Sequence, residues 1–108
     1  MATVYKVLGQ VNPSATTATT LYTVPAATST VISTIVIANI GGTATTFRVA
    51  IRPAGATLAT IHYISYDVTI ASLDTLTLTL GLTLAATDVV TVYAGNANLV
   101  FSAYGVEQ

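Results

Sequence analysis

Hydrophobic and polar residues alternate along most of this chain with a period of two. Every second residue from Leu76 to Leu82 is leucine, and Phe47, Val49 and Ile51 alternate with more polar or smaller neighbours. Successive side chains of a β-strand point to opposite faces, so this period is typical of strands with one buried face. Thr, Val and Ile, which are abundant in these segments, are branched at Cβ and favour the same extended geometry. The pattern therefore predicts an all-β protein.

Eight segments of this kind are separated by stretches that contain Gly, Pro, Asn or Ser, which are typical turn residues. The predicted strands are Thr3–Gly9, Thr19–Val24, Thr30–Asn39, Thr45–Arg52, Leu58–Tyr66, Leu73–Leu82, Asp88–Ala94 and Leu99–Gly105. Short strands at this spacing favour an antiparallel β-sandwich or jelly roll. The 108 residues are enough for one such domain, which we place over residues 1–108. The Gly95–Asn98 segment predicts a tight hairpin between the last two strands.

The third predicted strand differs from the others because both of its faces are nearly apolar. Val31, Ile35 and Ile37 lie on one face, and Ile32 and Val36 lie on the other. Such a strand is either central in the sandwich or pressed against a partner subunit. We favour the central position.

The composition is unusually poor in charge. Hydrophobic residues make up 53% of the chain and charged residues 6%, with three basic and four acidic side chains. A soluble monomer normally carries about a quarter charged residues, so this composition indicates a surface that neighbouring subunits cover. The net charge of −1 offers no basic patch for nucleic acid. No apolar run approaches the roughly 20 residues of a transmembrane helix, and the chain has no cysteine.

Candidate catalytic residues are few and scattered. His62 is the only histidine, and the nearest carboxylate in sequence, Asp67, lies at an odd spacing that puts it on the opposite face of a regular strand. Asp74 and Asp88 fall at the starts of predicted strands, where aspartate commonly accepts backbone hydrogen bonds in turns. We therefore predict no catalytic residue, no metal ligand and no cofactor, and we expect that the protein is not an enzyme.

Four residues are candidates for an interface. Arg48 and Arg52 share one face of a strand, and in so uncharged a chain each is expected to have a definite partner. That partner is an acidic residue of a neighbouring subunit or Asp67, while simple solvation is the alternative. Tyr63 and Tyr66 add apolar area with a polar hydroxyl, which suits protein interfaces and sugar stacking alike.

One set of segments links the chain to a known kind of protein. The set comprises Leu21–Ala26, Val31–Asn39, Gly41–Val49, Arg52–Gly55 and Ala86–Gly95. In these segments the chain resembles small virion structural proteins of tailed bacteriophages, cyanophages among them. The resemblance spans nearly the whole chain and rests on strands and turns. It implies a virion component and assigns no functional residue.

We therefore expect a non-enzymatic virion structural protein that forms a homo-oligomer, with a trimer preferred. Its other partners would be virion proteins such as the major capsid protein or tail proteins. We favour a capsid decoration (cement) protein that stabilises the head, and a tail-fibre or baseplate component is the close alternative. The Tyr-rich and Thr-rich faces keep a glycan-binding module for host recognition open, and a small hydrolase is the third hypothesis. Neither nucleic acid nor a membrane is an expected partner.

Overall fold

The computed structural model describes residues 3–108, which form eight β-strands and two short 3-10 helices. The strands are β1 (Val4–Val11), β2 (Thr19–Thr23), β3 (Thr30–Asn39), β4 (Thr45–Arg52), β5 (Tyr63–Ile70), β6 (Thr75–Leu84), β7 (Val89–Ala94) and β8 (Leu99–Glu107). The 3-10 helices span Pro53–Gly55 and Thr60–His62, both between β4 and β5. In the described part of the chain, no helix is long and apolar enough to cross a membrane.

The strands form two four-stranded antiparallel sheets, with the orders β1-β8-β3-β6 and β2-β7-β4-β5. Only β4 and β5 are consecutive strands of the same sheet, and every other connection crosses from one sheet to the other. This order is that of a jelly roll, in which two Greek keys wrap into a sandwich. The predicted all-β sandwich is therefore confirmed. Its third strand is central as predicted, because β3 lies between β8 and β6.

The core lies between the two sheets and is made of the inward residues of the alternating strands. Phe47 of β4 and Phe101 of β8 meet across it edge to face, with their ring centroids 6.3 Å apart. Ile32, Ile35 and Ile37 of β3 are fully buried beside them. Because these side chains come from both sheets, their burial fixes each sheet against the other. Simple alternation predicted Ile32 on the opposite face, and this is wrong because a bulge at Ser33 shifts the register between Ile32 and Thr34.

The fifth strand begins later than predicted. The sequence placed it over Leu58–Tyr66, whereas β5 spans Tyr63–Ile70. The residues before it form a turn in which the Ala59 N–H donates a hydrogen bond to His62 Nδ1 at 3.0 Å. At its other end β5 continues to the buried Ile70.

The predicted hairpin between the last two strands is also wrong. Gly95–Asn98 does form a turn, but β7 belongs to one sheet and β8 to the other. One end of the turn is tied to β4, since Gly95 N donates to Thr46 O at 2.9 Å, and the other to the residue that follows β3, since Ile40 N donates to Asn98 O at 2.9 Å. The predicted turn is confirmed, whereas the predicted pairing of the two strands that it joins is wrong.

Candidate functional site

The outer face of the β1-β8-β3-β6 sheet carries no charged side chain among residues 3–108. We call it the uncharged face, and it consists of the outward residues of the four strands, among them Tyr5, Val7, Val36, Thr77, Thr79 and Tyr104. Its most exposed large hydrophobic residue is Tyr5, which is 81% exposed. Val7 and Tyr104 are neighbours across the β1–β8 ladder, and both are exposed. The face is therefore rich in threonine, valine and tyrosine, and it also carries the uncharged polar pair Gln10 and Ser102.

Two acidic residues lie in turns and bind backbone there, as the sequence predicted. Asp88 accepts hydrogen bonds from Ala54 N and Ala85 N, each at 2.9 Å. Asp74 accepts one from Thr75 N at 2.8 Å. These carboxylates hold the connections between strands, so their nearest partners are backbone groups of the same chain.

Another acidic residue joins the two sheets. Glu107 of β8 accepts a hydrogen bond from the Tyr22 hydroxyl of β2 and pairs with Lys6 Nζ at 2.9 Å. The Tyr22 hydroxyl also lies 2.8 Å from Thr30 Oγ1, which is buried. The bonds from Tyr22 and Lys6 lower the pKa of Glu107. Burial, assisted by the bond to Glu107, raises the pKa of Tyr22 to about 12.

The outer face of the β2-β7-β4-β5 sheet has a different character, because its arginines are stacked and paired. The Arg48 guanidinium carbon lies 4.1 Å from the ring centroid of Tyr66 and 4.2 Å from that of Tyr93. Arg48 also forms a two-pronged ion pair with Asp67, with Nε–Oδ1 2.6 Å and Nη2–Oδ2 3.3 Å. This carboxylate raises the pKa of Arg48 above its usual value. Arg48 is therefore held on three sides.

Tyr63 completes this group, which we call the tyrosine cluster and which comprises Tyr63, Tyr66 and Tyr93 around Arg48. The rings of Tyr63 and Tyr66 meet edge to face, with centroids 4.9 Å apart and an interplanar angle of 87°. Edge-to-face contact is a favoured arrangement of aromatic rings. The cluster thus forms a continuous row of stacked side chains across β7, β4 and β5.

Arg52 lies further along β4 and binds groups of its own chain. Its Nε donates to Thr91 Oγ1 at 3.0 Å, and Nη1 donates to the carbonyl oxygens of Ala56 at 3.0 Å and Gly55 at 3.4 Å. Thr91 is only 6% exposed, so its hydroxyl depends on this bond. Arg52 fastens the start of the β4–β5 connection onto the sheet.

The structure brings all four predicted interface residues to one sheet. The predicted pairing of Asp67 with an arginine of β4 is confirmed, and Asp67 belongs to the same chain as Arg48. An ion pair between subunits is therefore not needed to explain either arginine. The part of Arg48, Arg52, Tyr63 and Tyr66 in an interface stays a prediction.

An open depression of about 410 Å³ lies beside the tyrosine cluster. It is lined by Leu58, Ala59, Thr60, Tyr63 and Tyr66. The β4–β5 connection supplies the first three residues and β5 supplies the two tyrosines. Sequence reasoning missed the connection because it placed these residues in a strand.

Sequence reasoning also left Tyr93 out of the candidate interface. Tyr93 pairs with Arg48 across the β4–β7 ladder, so their side chains share one face of the sheet. Alternation within the predicted β7 shows which way Tyr93 faces. Its contact with Arg48 could not be predicted in this way, because the contact depends on the order of strands in the sheet.

The described residues contain no group of three or more His, Cys, Asp and Glu side chains that could hold a metal ion. His62 has a local structural role, because its Nδ1 accepts the Ala59 N–H that closes the turn before β5. Comparison of the chain with models of protein families, with curated proteins and with solved structures finds no match. Function is therefore inferred from geometry and residue chemistry.

Proposed function

We propose that this chain is a non-enzymatic structural subunit that assembles with copies of itself through the uncharged face. The observation that carries the proposal is the lack of charged side chains among the described residues of that face. An outer face of an antiparallel sheet that stays in water normally carries charged or strongly polar residues. Covering a face of threonine and valine requires no ion to be stripped of its water.

The apolar side chains of the uncharged face are grouped on neighbouring strands. Tyr5 pairs with Val106, and Val7 pairs with Tyr104, all on β1 and β8. Contiguous exposed apolar groups mark interaction sites more often than scattered ones do, and tyrosine is enriched at the centre of interfaces. This part of the face supplies the apolar centre of the proposed contact.

One of the two edges of the same sheet supports the proposal. β6 is an edge strand whose ten residues, Thr75–Leu84, include no charged residue and no proline. Natural edge strands are commonly protected by such residues, because an open edge can pair with another chain. A bulge at Leu80 and Gly81 interrupts β6 opposite Ser33, and the rest of the edge lacks this protection. A second copy packed on the uncharged face would lie beside this edge.

A second copy is the preferred occupant because of symmetry. In a symmetric homo-oligomer the same patch, or its neighbours, recurs around each axis, so a charge near an axis meets its own copy. Like charges that face each other across an interface cost several kcal/mol. A face without charges avoids that cost, and we propose a homo-oligomer, with a trimer as the preferred state.

The resemblance to small virion proteins of tailed bacteriophages supports a place for this oligomer in the virion. We propose a capsid decoration protein that contacts the major capsid protein and stabilises the head. Residues 3–108 form one sandwich without an extended fibrous segment, which suits a cap on a lattice site. A tail-fibre or baseplate component that contacts tail proteins is the alternative, and imaging of the labelled chain in intact particles distinguishes the two.

Sedimentation of matched variants tests self-assembly. Thr77 on β6 and Thr69 on β5 are both exposed threonines of edge strands, but they lie on the outer faces of different sheets. We expect that the wild-type chain sediments as an oligomer at micromolar concentration, that Thr77→Lys shifts it towards monomer, and that Thr69→Lys leaves it unchanged. A wild-type monomer, or equal effects of the two lysines, would contradict the proposal.

A further inference from the structure

We propose that the depression beside the tyrosine cluster is a binding site for a neutral carbohydrate. The site lies on the outer face of the β2-β7-β4-β5 sheet, on the other side of the sandwich from the uncharged face. It is therefore independent of the surface that we assign to self-assembly, and the assembled protein could present it outwards.

The aromatic wall of the depression is held in place before any ligand arrives. Tyr66 is in contact with the Arg48 guanidinium, and its ring meets the ring of Tyr63 edge to face. Even so, Tyr66 is 56% exposed, so much of its surface remains available. A rigid aromatic side chain binds with little loss of conformational entropy, because it is already ordered in the free protein.

The chemistry of the lining matches the two kinds of surface that a sugar presents. Leu58 and the tyrosine rings offer apolar area to the C–H face of a pyranose ring. The hydroxyl groups of Thr60, Tyr63 and Tyr66 can each donate and accept a hydrogen bond, as sugar hydroxyls require. An apolar lining with a few polar groups, in a volume of about 410 Å³, fits a small ligand.

The charge near the site selects a neutral ligand. Arg48, the cation in contact with Tyr66, is already neutralised by the two-pronged pair with Asp67 at 2.6 Å and 3.3 Å. An acidic sugar would have to compete with Asp67 for the guanidinium and would then lie close to that carboxylate. A neutral sugar needs no such exchange, and it leaves the tyrosine cluster intact.

Saturation-transfer NMR with a panel of methyl glycosides tests the proposal. The neutral probes are the methyl glycosides of glucose, galactose, mannose, rhamnose and N-acetylglucosamine, and the acidic ones are those of glucuronic acid and sialic acid. We expect saturation transfer to at least one neutral probe. We expect Tyr66→Ala to weaken its binding by about tenfold or more, because the aromatic contact is lost.

Two further variants keep the test decisive. Thr60→Arg places a long side chain in the depression from an exposed turn, so it should abolish binding without disturbing the core, even where Tyr66→Ala folds poorly. Tyr5→Ala removes the most exposed tyrosine of the opposite face and should leave binding unchanged.

Three results would overturn the proposal: no transfer to any neutral probe, a preference for the acidic probes, or unchanged binding in folded Thr60→Arg. Sedimentation of the same samples reports on self-assembly separately, so loss of sugar binding and loss of the oligomer are distinguishable.

Discussion

The outer face of the β2-β7-β4-β5 sheet carries Arg48, Arg52 and Asp67, whereas the described residues of the opposite outer face carry no charge. On the first face the polar groups bind one another: Arg48 pairs with Asp67, and Arg52 binds Thr91 and backbone carbonyls. The uncharged face instead exposes Tyr5 and Val7, and Lys6 between them points to the other side of the sheet. Both faces belong to one sandwich of similar four-stranded sheets, so the difference lies in side chains alone.

This difference indicates where a substitution affects folding and where it affects assembly. A group that is bonded within its own chain contributes to the stability of the monomer, and its loss leaves a partner unsatisfied. Substitution of an exposed group on the uncharged face should change the stability of the monomer little, because the group makes few contacts there. Its effect appears only when a second molecule covers it.

The largest effect is expected where the two sheets meet, because both faces depend on that contact. A Cβ atom added at Gly9 of β1 would lie 2.2 Å from the Leu21 carbonyl oxygen of β2, so Gly9→Ala requires the backbone to move. We expect the free energy of unfolding to fall by at least about 3 kcal/mol, as measured by urea denaturation. At Gly42 nothing lies within 4 Å of such an atom. Gly42→Ala should therefore change the free energy of unfolding by less than about 0.5 kcal/mol. Equal losses of unfolding free energy in Gly9→Ala and Gly42→Ala would contradict the prediction, because they would show that β1 and β2 can move apart at Gly9 without cost.

A smaller effect separates the two outer faces. Arg52→Ala removes the bond to the buried Thr91 hydroxyl and two bonds to backbone carbonyls. We expect a loss of about 2 kcal/mol in the free energy of unfolding, because hydrogen bonds to charged groups are strong and Thr91 is left unsatisfied. The matched change on the uncharged face, Thr77→Ala, should cost less than about 0.5 kcal/mol. Denaturation of dilute monomeric samples measures both, and a costlier Thr77→Ala would reverse the comparison.

The sequence predicted strands well where turn residues mark the end of an extended run. β3 and β4 begin and end at the predicted residues, Thr30–Asn39 and Thr45–Arg52, because turn residues follow each of them, Gly41 after β3 and Pro53 after β4. The start of β5 was wrong because the preceding turn depends on one contact, from the Ala59 N–H to His62 Nδ1. The pattern of hydrophobic residues contains no information about a single hydrogen bond of this kind.

The candidate sites were predictable only in part. Residue chemistry was enough to pair Asp67 with an arginine of β4, since few charged partners exist. Adding Tyr93 to the tyrosine cluster requires the knowledge that β7 lies beside β4. The mistaken β7–β8 hairpin has the same cause. Turn residues show where the chain reverses, whereas the order of strands depends on packing between segments that are distant in sequence.

A pH dependence is expected from the contact that joins the two sheets through Tyr22 and Glu107. The pKa of Glu107 is lowered in the folded state from its usual 4.5, so the free energy of unfolding should decrease as the pH falls from 4.5 through that lower value. The pKa of Tyr22 is raised from 10.0 to about 12, so the free energy of unfolding should also decrease as the pH rises from 10 towards 12. In Tyr22→Phe the alkaline decrease should vanish and the acid decrease should become shallower. Urea denaturation across this range measures both, and an unchanged profile would exclude Tyr22 as the cause.

The smallest effect, and the sharpest separation of the two faces, is expected from salt. If wild-type subunits meet through the uncharged face, no ion pair is broken on dissociation. The dissociation constant should then change less than about threefold between about 0.05 M and about 0.5 M sodium chloride, although screening changes greatly over that range. Thr77→Lys should introduce repulsion, so its weakened assembly should recover partly as salt rises. Thr69→Lys, on the opposite face, should behave like the wild type. Sedimentation at each salt concentration makes the measurement, and a wild-type oligomer that salt dissociates would place the interface on the side of Arg48 and Asp67.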